Sequence, residues 1–219
     1  AFMILSRIIS SFHNDKGELL IEGLTPTEQD VFELSDEFVK SSLSSTGVNL
    51  FEMDSYSKRL WLEPALSILA IDAPPVAESV NLLIPKAKAK VSLRLPPTED
   101  PDHAMNMLEQ HIKENTPFNA NVEFIPEAKG KGILVDPKNE FSSKLIESFN
   151  KHWENEVAYM GVGGSIPFAN VFINEFPNSE IVLVGAGDEE GNAHAPNESV
   201  NISDIQRLID SLTDAISNY

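Results

Sequence analysis

Three short stretches of this chain carry residue types and spacings that could do chemistry. The first is the loop Gly185-Ala-Gly-Asp-Glu-Glu-Gly-Asn-Ala-His194-Ala-Pro-Asn-Glu198, which follows a continuous apolar run. Ligands of α/β sheets gather beyond the carboxyl ends of strands, and neutral imidazole is the commonest protein ligand for zinc. His194 is therefore a candidate metal ligand; a loop histidine bonding its own backbone is the alternative. The second stretch, Gly163-Gly-Ser-Ile-Pro167, brings backbone amides and a capping serine to a helix start. Unpaired N–H groups and the helix dipole attract anions there, which makes Gly164 and Ser165 candidates, with a plain tight turn as the alternative. The third is Arg94, on the polar side of an alternating segment. A guanidinium can grip a carboxylate through two parallel hydrogen bonds, or end in a surface salt bridge.

These residues need elements to position them. From Ala87 to Leu95, Ala87, Ala89, Val91, Leu93 and Leu95 point one way, and Lys88, Lys90, Ser92 and Arg94 the other. That alternation predicts a half-buried strand with one wet, basic face. Asp100-Pro101 predicts a capped helix start, with Ala104, Met107, Leu108, His111 and Ile112 as its apolar stripe. Ala120, Val122 and Phe124 alternate as a further strand, and Glu18 to Ile21 reads as a short one. Phe2, Leu5, Ile9 and Phe12 recur at helical spacing without a preceding cap, which suggests a chain that starts inside a helix. Thr25-Pro26-Thr27-Glu28 reads as the capping box of a helix running to about Leu43, with a loop at Ser44 to Gly47. The order predicts an α+β two-layer sandwich with helices on one sheet face.

Residues 127–136, with Gly130 and Gly132, read as a boundary. Beyond it, Phe141, Leu145, Phe149 and Trp153 mark an amphipathic helix, and Ile181-Val-Leu-Val184 reads as a buried parallel strand. Ser203 and Gln206 read as the capping box of a last helix carrying Ile205, Leu208, Ile209, Leu212 and Ile216. This second part reads as half of a helix-covered α/β domain.

Composition narrows the classes of function. Of 219 residues, 34 are Asp or Glu and 16 are Lys or Arg, a formal net charge of -18. Nucleic acid and anionic membranes recruit basic patches, so neither is an expected partner. With no cysteine, the chain has neither a disulfide framework nor a thiolate metal site, and any metal must be held by His, Asp or Glu. No apolar run approaches the ~20 residues that span a bilayer, and Arg7 interrupts the opening apolar stretch; a cytoplasmic protein is the expectation.

Four motifs in order carry a resemblance. Asn81-Leu-Leu-Ile-Pro85, the strand ending Ser92-Leu-Arg94-Leu-Pro-Pro, Gly163-Gly-Ser-Ile-Pro167 and Asn192-Ala-His194-Ala-Pro-Asn-Glu198 resemble a zinc-dependent metallopeptidase family. It contains carnosine dipeptidases, aminoacylases, acetylornithine deacetylases, succinyl-diaminopimelate desuccinylases and glutamate carboxypeptidases. The Gly-Ser-Ile-Pro form and the insertion around Leu24 to Phe51 look most like its dipeptidase branch.

The resemblance implies a ferredoxin-like lid, which also mediates homodimerisation, over residues 1–128, its first strand missing. The C-terminal part of a two-zinc α/β catalytic domain follows over 129–219. It implies that His194 is a zinc ligand, that Arg94 and Asn81 bind the substrate carboxylate or scissile-bond oxygen, and that Gly164 and Ser165 line the substrate pocket. The implied substrates are small peptides or N-acyl amino acids. In the whole family member, zinc polarises the amide and activates a bridging water while a glutamate takes its proton. The remaining ligands and that glutamate are expected upstream of Ala1, so the chain alone is expected to be inactive. His13-Asn-Asp15 and Glu189-Glu190 spell metal-site elements but stand in the wrong places. Rival readings are a non-catalytic dimerisation module and, among enzymes, a desuccinylase-like deacylase.

Overall fold

The computed structural model describes residues 1–43, 47, 54–134, 136–161, 167–188 and 190–219. The chain divides into two compact units: residues 1–133 with 160–167, and residues 134–159 with 168–219.

The first unit contains α1 (Phe2–Ser10), α2 (Asp36–Leu43), α3 (Tyr56–Trp61), β1 (Ala65–Asp72), β2 (Lys88–Arg94) and α4 (Pro101–Glu114). β1 and β2 pair antiparallel, with Leu66 opposite Leu93 and Ile68 opposite Val91. These apolar pairs alternate with polar ones, so one sheet face is oily. Onto it pack Ile8 of α1, Phe12 and Ile21, and Leu108 and Ile112 of α4. The result is the α+β two-layer arrangement that the alternation implies, helices on one face of the sheet. At the start of α4, the Asp100 side chain accepts hydrogen bonds from the amides of Asp102 and His103, both 2.9 Å. Inside the core, His111 stacks on Phe12 at 5.4 Å and its Nε2 lies 3.1 Å from Ser11 Oγ.

Three local expectations for this unit are corrected. Residues 25–35 are not helical; the helix in this region is α2. The polar groups of that segment are taken by distant partners. Thr25 N–H donates to Glu99, Thr27 N–H to the Leu62 carbonyl, and Thr27 Oγ1 accepts from Thr98 N–H. Donors committed to tertiary bonds cannot also build a helix ladder. Residues 18–21 and 120–124 form no strand: the first makes a single bridge, His13 with Leu19, and the second makes none among the described residues. Burial does not follow the expected alternation either: Ile21 and Phe124 reach the core, while Leu20 and Val122, the latter on the face expected to be shared with Phe124, are exposed. The Ser44 to Gly47 loop and the C-terminal end of the Leu24 to Phe51 insertion lie largely outside the described residues.

The second unit holds α5 (Glu140–His152), α6 (Pro167–Glu175) and α7 (Ile202–Ser217). α5 and α7 approach through small residues: Ser148, Ser211 and Ala215 are all buried, and Ser148 Oγ donates to the Ser211 carbonyl at 2.7 Å. The Glu180 carboxylate sits on the start of α5, accepting from the amides of Phe141 (3.1 Å) and Ser142 (3.0 Å). Those bonds hold its pKa below the ordinary range against the opposing effect of burial. The cap of α7 is Asn201, not Ser203: Asn201 Oδ1 accepts from the Ser203 amide, while Gln206 reaches forward to Asp210. Ile181 to Val184 is not a strand, and Leu183 and Val184 are exposed. An apolar run becomes a parallel strand only beside a neighbour that shares its ladder, and no described segment pairs with it.

Candidate functional site

β2 delivers Arg94 to the exposed face of the two-stranded sheet. Along the strand, burial alternates residue by residue from Ala87 to Leu95, with Lys88, Lys90, Ser92 and Arg94 outward. The register decides the company each cation keeps. Lys88 stands opposite Asp72, while Arg94 stands opposite Ala65. Lys90 donates to Glu127 Oε2 at 2.5 Å, and that contact holds the Glu127 carboxyl below its ordinary pKa. Arg94 makes no ion pair with any described residue. Its five N–H donors are therefore available to a planar oxyanion such as a carboxylate. Sequence reasoning grouped these three cations as one basic stripe. It missed the role of Glu127, which lies 37 positions beyond Lys90 and has no local signal.

Asn81 lies in the connection from β1 to β2, which carries Val80, Leu82 and Leu83 highly exposed around it. That connection enters β2 at Lys88, whereas Arg94 closes it, about 20 Å of strand away. No hydrogen bond joins the two among the described residues.

His194 lies in the second unit, exposed, in a loop folded by short-range bonds. Glu190 N–H donates to Asp188 Oδ1 (2.9 Å), Ala195 N–H to the Asn192 carbonyl (2.9 Å), and Ser199 N–H to the Gly191 carbonyl (2.9 Å). Asn192, His194 and Asn197 all have positive φ, at 51°, 65° and 63°. Three non-glycine residues in the left-handed region within six positions is an uncommon concentration, and such strain gathers at functional loops. Among the described residues, no three His, Asp or Glu side chains come together as metal ligands. The described residues thus do not make a zinc site, and His194 offers one imidazole where tight sites use three or four ligands. Gly164 and Ser165 fall outside the described residues, as does Glu189.

His13-Asn14-Asp15 forms a turn: Asn14 Oδ1 accepts from the amides of Lys16 and Glu18. Burial, then the Arg59 charge, lowers the His13 pKa.

Known proteins share this arrangement. The M20 peptidase dimerisation domain matches residues 1–120. Cysteinylglycine-S-conjugate dipeptidase of Corynebacterium striatum is 28% identical over 214 residues, covering 93% of this chain and 46% of that protein. An M20 family metallo-carboxypeptidase from Sulfolobus solfataricus superposes with a TM-score of 0.74 at 23% identity, over 98% of this chain and 51% of that one. The di-peptidase Dug1p from Saccharomyces cerevisiae gives 0.77 at 20% identity, over 98% and 48%. Human carnosine dipeptidase 1 gives 0.76 at 17% identity, over 100% and 49%. At these identities the solved structures show a shared fold, and the chain spans about half the length of the relatives it matches. The chain belongs to the M20 peptidase dimerisation-domain family.

Proposed function

We propose that this chain is the lid and returning catalytic segment of a longer zinc-dependent dipeptidase, with residues 1–128 as the lid and 129–219 as part of the catalytic domain. The observation that carries the reading is Arg94: an exposed guanidinium with no ion pair among the described residues, opposite Ala65, within the family-matched region. Such a group holds the carboxylate of a small peptide or N-acyl amino acid by two parallel hydrogen bonds and so orients the amide to be cut. Asn81, Gly164 and Ser165 complete the substrate contacts. His194 serves as one zinc ligand; among the described residues no group of three ligating side chains forms around a metal position. Full-length activity on dipeptides is supported by the relatives named for it, a cysteinylglycine conjugate dipeptidase and two further dipeptidases.

The chain alone does not turn over on this reading, which gives it one zinc ligand and no general base. Its lid associates with a second copy, as the family's description suggests. That same description favours a second reading, in which the first unit serves association only. The two readings separate on one assay: zinc-dependent hydrolysis of a dipeptide panel by the longer polypeptide, with and without Arg94→Ala. Loss of hydrolysis on substitution supports the grip; unchanged hydrolysis removes Arg94 from the site; absence of any hydrolysis favours the association module.

A further inference from the structure

Just before the chain first leaves the first unit at Ile133, residues 120–131 form neither helix nor strand. Phe124 packs against the core, but the stretch that follows is charged: Pro126-Glu-Ala-Lys-Gly-Lys131. Its charges stand two apart, at Glu127, Lys129 and Lys131, with Ala128 and Gly130 between them. The body beneath offers the complementary charges. Glu127 pairs with Lys90 of β2, Lys129 pairs with Asp102 in the first turn of α4, and the charge of Lys131 acts on Asp100 at its cap. Both ion pairs are about half exposed or more on each side: 52% and 61% for Lys90 and Glu127, 52% and 71% for Lys129 and Asp102. Exposed pairs are individually weak and are screened by salt.

We infer that residues 127–131 are an ionic strap, fastened to β2 and α4 by alternating complementary charges and released by salt. The strap ends beside Gly132, which lies so close to Pro97 that an added Cβ would come within 2.6 Å of the Pro97 Cα. Fastened, the stretch between Phe124 and Gly132 lies on β2 and α4; released, that stretch is loose between those two points.

The chain contains no cysteine, so single introduced cysteines report one place each. A nitroxide at Ala128→Cys reads the strap, and one at Asn106→Cys reads the exposed side of α4. The account expects a broad, immobilised spectrum at position 128 in about 0.01 M NaCl, where the Debye length is ~30 Å, and a narrow component that dominates near 1 M, where it is ~3 Å. Position 106 stays constant. Lys129→Asp narrows the 128 spectrum at low salt, and the exchange Lys129→Asp with Asp102→Lys restores it. A 128 spectrum unaffected by salt and by Lys129→Asp would overturn the strap. So would one already narrow at low salt, a failure of the exchange to restore it, or parallel narrowing at 106.

Discussion

Arg94 stands directly opposite Ala65 in the antiparallel pair, so the longest side chain on this sheet face meets one of the shortest. Both are exposed, and the oily pair Leu66–Leu93 lies on the other side of the sheet. The register thereby leaves the guanidinium without a carboxylate partner among the described residues.

This relationship is open to manipulation. Ala65→Glu places a carboxylate across from Arg94, and an opposite-charge cross-strand pair contributes roughly 0.2–1 kcal/mol. Thermal unfolding of the purified chain should therefore rise slightly, and hydrolysis by the longer enzyme should fall because Arg94 is occupied. A gain in stability with unchanged turnover would mean that substrate does not use this guanidinium.

Acid should loosen the joint between residues 25–27 and the start of α4. Glu99 is buried; burial alone raises its pKa, but His103 and the amides of Thr25 and Asp100 more than offset this and leave it below the ordinary 4.5. A lowered folded-state value contributes stability that is complete above the unfolded value and is lost as pH falls through the folded one. Glu99→Gln should thus destabilise the chain at neutral pH by about 1–3 kcal/mol and flatten the loss below roughly pH 4.5. Urea unfolding across pH 3 to 7, a range of roughly ordinary carboxylate titration, checks both; an unchanged acid arm would assign it to other carboxylates.

Gly161→Ala should destabilise the first unit. A Cβ there would lie 2.4 Å from Trp61 Cβ and 2.5 Å from its Cγ, atoms too close to their own backbone to swing aside. Overpacking of this kind costs about 1–3 kcal/mol. Gly185→Ala, where a Cβ meets nothing within 4 Å, is the matched control for crowding in denaturant melts. Equal effects at the two positions would show that crowding at Trp61 is not the cause.

Zinc binding by the isolated chain should be weak, because one imidazole leaves most of the coordination sphere to water. Isothermal calorimetry should show no stoichiometric sub-micromolar site, an order of affinity that several protein ligands are needed to reach. A tight site abolished by His194→Ala would contradict this and require further ligands from the residues around His194.

What could be read in advance was local. β2 and α4 announce themselves because alternation, the Asp100 cap and the Leu108–Ile112 stripe are settled within a few residues. Residues 25–35 mimicked a capped helix, yet their donors go to Leu62 and Glu99, partners that no local pattern reveals. At α7 two capping residues stand two positions apart, and Asn201 reached the Ser203 amide. Of the candidate site, Arg94 was legible as an outward cation, but its distinction from Lys90 depended on Glu127, distant in sequence. The left-handed backbone of His194 likewise followed from the folding of its loop, not from residue type alone.

The central claim is that Arg94 binds substrate and does not hold the fold together. It is tested most directly by measuring kcat/KM on a dipeptide, together with Tm, for Arg94→Ala and Arg94→Lys in the longer polypeptide. Truncating one partner of a bidentate bond to a carboxylate in a water-poor cleft costs about 2–5 kcal/mol, on the order of thirty- to several-thousand-fold in kcat/KM. The account predicts that loss for Arg94→Ala, poor rescue by lysine, whose point charge lacks the planar fork, and a Tm close to wild type. A large fall in Tm with near-normal kcat/KM would contradict it.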